Sequence, residues 1–187
     1  MPFLIRRAGP EDLDAIGALT VRAYVEGGFT RPDSPYVARL RDARSRAELA
    51  ELWVGEGEEG AVAGSVTFAP PGSAFNEVAG PEEAEIRMLG VSPEAHGRGL
   101  GEALVRHCIG RARALGLTAV VLSTQPAMLA AQRIYAATGF RRTPDLDWAP
   151  LPGLPLLTYR LDLHPLAARA PSGRASQRER KTGAAEG

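Results

Sequence analysis

Apolar positions along this chain switch between a period of two and a period of three to four, and the order of the switches predicts its elements. Phe3 to Arg7 reads as a short strand, after which Gly9-Pro10-Glu11-Asp12 opens an amphipathic helix carried through Ile16, Leu19 and Tyr24. Gly27, Gly28 and Pro32 break that helix, and a second is expected from Tyr36 to Arg46. Leu52 to Glu56 and Ala61 to Phe68 predict a hairpin around the acidic turn Glu58-Glu59-Gly60. A loop from Pro70 to Pro81 leads to a buried strand at Glu85 to Val91, stopped by Ser92 and Pro93. Leu100 to Leu115 then carries apolar groups at helical spacing. A strand at Ala119 to Thr124, a helix at Ala127 to Thr138 and strands around Phe140 to Thr143 and Leu156 to Asp162 complete an α/β order without internal repeat.

The junction between the strand ending at Val91 and the helix starting at Leu100 holds Gly97, Gly99 and Gly101. Glycine there permits φ > 0 and a close approach of the backbone to a ligand. The first N–H groups of a helix lack internal acceptors and sit at the positive end of its dipole, so a pyrophosphate is the natural guest. A turn needed only for tight strand-to-helix packing would use the same glycines. The loop lacks the G-K-[ST] ending of a P-loop, which speaks against an NTPase.

The sextet H-G-R-G-L-G resembles the acyl-CoA signature of the GNAT N-acetyltransferase superfamily, [Q/R]-x-x-G-x-[G/A], with His96 first, Gly99 fourth and Gly101 sixth. His96 departs from the usual Gln or Arg, which removes one side-chain contact and leaves the backbone cradle. Ala131 to Phe140, A-Q-R-I-Y-A-A-T-G-F, is similar to a second GNAT segment, on the last helix and the strand after it. The resemblance covers Pro2 to Leu163 and is strongest from Glu85 to Phe140. It implies a GNAT fold: a central mixed sheet of about six to seven strands flanked by about four helices. It also implies acetyl-CoA as co-substrate and transfer of the acetyl group to a primary amine by direct attack in a ternary complex.

Carried onto this chain, the resemblance assigns cofactor contacts to Met88, Leu89 and Val91 on the strand and to His96, Gly97, Arg98, Gly99, Leu100, Gly101 and Glu102 at the turn. Met128, Ala131 and Tyr135 on the last helix complete that set. Gly90 is expected to ease a bulge in the strand, and Met128 stands where many relatives carry a cofactor-binding Asn. Tyr135 is the implied acid at the leaving thiolate, although an aromatic four residues after Ala131 also suits a core. Glu85 is the implied base. Arg87, two residues on, shares its face and would pair with it. The acceptor pocket is expected from Tyr24, Phe29, Asp33, Tyr36, Asp147 and Trp148, where a carboxylate could receive an ammonium group and the rings could cover it.

Composition fits this reading. With 187 residues, 44% of them hydrophobic, the chain is long enough for one packed core. Its 22 basic and 22 acidic side chains leave no net charge, so no field favours nucleic acid or an anionic membrane. The single Cys108 excludes an internal disulfide and is expected to pack inside its helix. His96, His107 and His164 stand in no metal-ligand spacing, so no metal is expected. With no spanning run or leader, a cytoplasmic protein is expected, as monomer or homodimer. From Ala167 onward Pro, Ser, Gly, Arg and Ala dominate without periodicity, which predicts a domain over residues 1–166 and a flexible basic tail over 167–187. A small-molecule amine is the preferred acceptor. Protein N-terminal or lysine acetylation, and a silent GNAT-like module that only senses acyl-CoA, stay open.

Overall fold

A computed structural model describes residues 3–163; the tail over 167–187, the boundary at 166 and His164 lie outside the described residues. Seven strands form one mixed sheet in the order β1-β2-β3-β4-β5-β7-β6. They are β1 (Ile5–Arg7), β2 (Glu51–Glu56), β3 (Val62–Ala69), β4 (Glu83–Val91), β5 (Ala119–Thr124), β6 (Arg141–Arg142) and β7 (Leu157–Asp162). Among the described residues only β4 and β5 run parallel; every other neighbouring pair is antiparallel. The parallel pair needs a crossover, and the helix after the glycine turn supplies it.

Among the described residues five α-helices cover the two faces: α1 (Leu13–Glu26), α2 (Tyr36–Arg41), α3 (Ala43–Leu49), α4 (Leu100–Ala114) and α5 (Leu129–Ala137). On one face α4 buries Leu100, Leu104, Val105, Cys108, Ile109 and Ala112, a stripe at helical spacing, against Val66, Phe68, Ile86 and Leu122 of the sheet. Each fully buried side chain of this size contributes about 1.5–3 kcal/mol. Gly55 on β2 lets α4 come close, since a Cβ there would stand 2.3 Å from Leu100 Cδ1. On the opposite face α1, α2 and α3 pack Ile16, Leu40 and Ala43 over Leu52, Val54 and Met88.

Two expectations change here. The single helix over Tyr36 to Arg46 is two helices, because Asp42 leaves the helical region (φ −74°, ψ 75°) and its carboxylate accepts the Ser45 N–H at 3.0 Å, capping α3. The bulge in β4 also falls two residues earlier than Gly90. Ser65 pairs with Gly90 and Thr67 with Arg87, so Met88 and Leu89 together face Val66, and Met88 takes φ 50°. Gly90 serves packing instead, since a Cβ there would stand 3.1 Å from Leu19 Cδ2 on α1.

Arg46 was not singled out by the sequence. Fully buried on α3, it donates to the Leu40 carbonyl at 2.9 Å and to Thr20 Oγ1 at 3.3 Å, tying the three helices together. Burial without a carboxylate partner pulls its guanidinium down to about 10.

Candidate active site

Backbone pairing between β4 and β5 runs from Glu83 and Ala119 to Ile86 and Leu122 and ends there. Beyond that point Met88 on β4 and Ser123 and Thr124 on β5 line an opening between the strands. A pocket of about 340 Å³ lies at this opening, and a cleft of about 790 Å³ lies along Leu89 to Val91 of β4. Both are lined by Tyr24, Phe29 and Met128, so the two spaces meet at these three side chains.

The larger cleft runs from that junction to the N-terminus of α4. Gly99 caps the helix with φ 85° and Gly97 has φ 72°, the left-handed region that favours glycine, and a Cβ built on either meets no atom within 4 Å. The turn therefore faces open space that side chains would fill, at a helix end whose first N–H groups have no internal acceptor. This is a cradle with the shape and polarity for a phosphate group. Leu89, Val91, His96, Leu100, Gly101, Glu102, Met128 and Ala131 line the same cleft.

Three of the expected cofactor residues stand apart from it. Met88 lines the smaller pocket. Arg98 turns away, its guanidinium 5.7 Å from the centre of the Phe3 ring. Tyr135 lies behind the cleft wall, 5% exposed, with its ring centre 5.9 Å from those of Phe140 and Tyr159. Burial raises the Tyr135 phenol above its ordinary range, and its hydroxyl makes no hydrogen bond among the described residues. His96, at the variant first position of the motif, reaches back so that its Nε2 lies 3.1 Å from the Val91 carbonyl. Arg22, paired with Glu26 and Glu94, and the exposed Arg133 also line the cleft and were not foreseen. Arg133 shares the face of α5 that carries Ala130, three residues earlier, a spacing that could have revealed it.

The smaller pocket is walled by Tyr24, Phe29, Tyr36 and Trp148, with Leu151, Leu154 and Leu156 from the segment before β7. Tyr24 packs edge-on against Phe29 and Tyr36, and Trp148 Nε1 donates to Ser123 Oγ at 3.0 Å, fixing that segment to β5. Burial raises the phenols of both Tyr24 and Tyr36. The two aspartates expected here are elsewhere: Asp33 is exposed and paired with Arg31 at 3.0 Å. Asp147 is held by Arg142 at 2.7 Å and by the Thr158 N–H at 2.7 Å, and these contacts, Arg142 first, lower its pKa.

Glu85 lines the pocket but is 1% exposed. Its Oε2 accepts the backbone N–H groups of Glu77 (2.7 Å), Val78 (2.9 Å) and Ala79 (3.3 Å), and its Oε1 lies 3.9 Å from Arg87 Nε. The expected face shared with Arg87 is present, although Arg87 is nearer to Glu77, at 2.5 Å. Arg39 also reaches Glu77, at 3.0 Å. Neither Glu77 nor Arg39 was singled out; Arg39 lies three residues after Tyr36 on α2, whereas the Glu77 loop offers no periodic signal. Among the described residues no three His, Cys, Asp or Glu side chains converge as a metal site, and no helix is long and apolar enough to cross a membrane.

The sequence model of the acetyltransferase (GNAT) family matches residues 14–140 of this chain. An uncharacterized N-acetyltransferase of Schizosaccharomyces pombe is 34% identical over 149 residues, covering 78% of this chain and 86% of that protein. A mycothiol acetyltransferase of Cellulomonas flavigena is 32% identical over 151 residues, covering 76% of this chain; the match spans only 41% of that longer protein. Among solved structures, a GNAT superfamily phosphinothricin acetyltransferase from Sinorhizobium meliloti, in complex with acetyl-CoA, superposes with a TM-score of 0.65. That pair is 24% identical and covers 87% of this chain and 89% of the other, a likeness of fold.

Proposed function

We propose that this chain, which belongs to the acetyltransferase (GNAT) family, transfers the acetyl group of acetyl-CoA to the amine of a small molecule by direct attack in a ternary complex. The observation that carries the reading is the meeting of the phosphate-shaped cleft and the aromatic pocket at Tyr24, Phe29 and Met128. On this reading the glycine turn holds the pyrophosphate through backbone N–H groups, which explains why His96 can replace a longer polar side chain. Leu89 and Val91 border the pantetheine arm, and the thioester reaches the opening beyond Ile86 and Leu122.

The amine nitrogen attacks the thioester carbonyl, the C–N bond forms and the C–S bond breaks. A thiolate leaves and takes up a proton. Tyr135, kept as a phenol by burial and with its hydroxyl unpaired among the described residues, is the proposed donor. A pocket of about 340 Å³ suits a small acceptor better than an extended peptide.

The test is thiol release from acetyl-CoA across a panel of primary amines, with acetyl-CoA binding followed in parallel by thermal shift. Amine-dependent release is expected. Binding without release from any amine would assign the fold to acyl-CoA sensing instead.

A further inference from the structure

The acceptor pocket has an unusual charge inventory. Among the described residues, the charged and titratable side chains facing it are Tyr24 from α1, Tyr36 and Arg39 from α2, Glu77 from the loop before β4, and Glu85 and Arg87 from β4. β5 and the segment before β7 add Ser123, Thr124, Gln125 and Trp148, all neutral. Both carboxylates are already engaged. Glu77 lies 2.5 Å from Arg87 and 3.0 Å from Arg39, and Glu85 Oε2 accepts three backbone N–H groups. An incoming ammonium group would have to compete with these partners to pair with either carboxylate.

We infer, resting on the acetyltransferase reading above, that the acceptor is a weakly basic primary amine, of the kind found on an α-amino amide or ester, bound as the neutral species. Proton balance supports this. A neutral amine that attacks the thioester loses one N–H proton as the amide forms, and the leaving thiolate gains one; the amine's proton passes to the thiolate directly or to the phenolate left when Tyr135 protonates the sulfur, so the reaction needs no net base. An ammonium group brings one proton more, which has to go to a base before attack. Entering this pocket, a cation meets two guanidinium groups and two carboxylates that are already held by those groups or by backbone N–H groups, so no side chain there offers it an unshared countercharge, and it sheds water against aromatic and leucine side chains. The same rings could instead cover a cation, an arrangement that predicts the opposite preference.

Phenylalaninamide and 2-phenylethylamine share one aromatic frame and differ in basicity, with ammonium groups near the α-amino and lysine ranges of about 7.7–8.0 and about 10.4. Acetylation of each is measured as thiol release at saturating acetyl-CoA from pH 6.5 to 9.5. The neutral fractions predict that kcat/KM at pH 7 favours the amide by roughly 200- to 400-fold. The amide should level off above about pH 8 while phenylethylamine climbs about tenfold per pH unit. A preference for phenylethylamine at pH 7, or one acid limb shared by both amines, overturns this inference and leaves acetyl transfer standing. No release from either amine at pH 9, while a more basic amine of the panel is acetylated, overturns this inference and leaves acetyl transfer standing; no release from any amine of the panel, where acetyl-CoA still raises the Tm, overturns the acetyltransferase reading and this inference with it.

Discussion

Glu85 Oε2 accepts the backbone N–H of Glu77 at 2.7 Å, so the head of β4 holds the loop whose own carboxylate lies against Arg39 and Arg87. One buried side chain thus shapes the smaller pocket through a loop eight residues away. Removing it in Glu85→Ala leaves three N–H donors without their acceptor, and a loss of about 2–3 kcal/mol is expected. Glu85→Gln keeps one carbonyl oxygen for the same donors and should lose about 1 kcal/mol. Urea unfolding midpoints of the two variants check this. Equal losses would mean that the N–H cluster contributes little to stability.

The parts of the site legible in the sequence are those whose signal is local. Gly97, Gly99 and Gly101 sit at a strand-to-helix junction whatever surrounds them, and the stripe from Leu100 to Ala112 names its own helix. What escaped depends on contacts across the chain. Glu85 reads in the sequence as the implied base, and the three N–H groups of the loop over 77–79 that it accepts are brought to it by the fold. Asp33 and Asp147 are taken up by Arg31 and Arg142, close to them in sequence, and the pairing depends on turns that no periodic pattern marks. The bulge at Met88 is set by the register of β3 against β4, and a residue other than glycine at φ 50° leaves no sequence mark.

A pH dependence of stability is expected from His107. Its ring lies 4.1 Å from that of Trp53, its Nε2 is buried without a hydrogen-bond partner, and burial lowers its pKa below the ordinary 6.5. The folded state therefore binds this proton less readily than the unfolded chain does. The stabilisation is complete above about pH 6.5 and is lost as pH falls from there through the lower folded value. Urea midpoints should drop between pH 7.5 and 5.5, a window above the ordinary range of the carboxylates. His107→Gln should flatten that slope; an unchanged slope would place its origin in another group.

Gly99 separates binding from folding. Alanine at φ 85° costs about 1–2 kcal/mol, yet its Cβ clashes with nothing, so Gly99→Ala should fold. The added methyl stands in the space assigned to phosphate. The parent protein should gain about 2.7 kcal/mol with acetyl-CoA at 100 times its Kd, and the variant should lose most of that gain at the same concentration. Thermal shifts with and without acetyl-CoA decide it, and an equal shift in both proteins would move the phosphate site off the glycine turn.

Tyr135→Phe tests the proposed proton donor with little disturbance of structure. The ring keeps its place between Phe140 and Tyr159, and the deleted hydroxyl has no partner among the described residues to lose. Because burial raises its pKa, Tyr135 stays a phenol through neutral pH and can donate throughout. A fall in kcat of about 10²–10⁴ is expected, the usual scale for a general acid, with the thermal shift from acetyl-CoA unchanged. Tyr24→Phe is the matched comparison, since Tyr24 lines both the cleft and the pocket whereas Tyr135 lies behind the wall. If Tyr24→Phe carries the loss in kcat and Tyr135→Phe turns over normally, the donor is on α1, and the role drawn from the sequence motif moves to the junction of the two spaces.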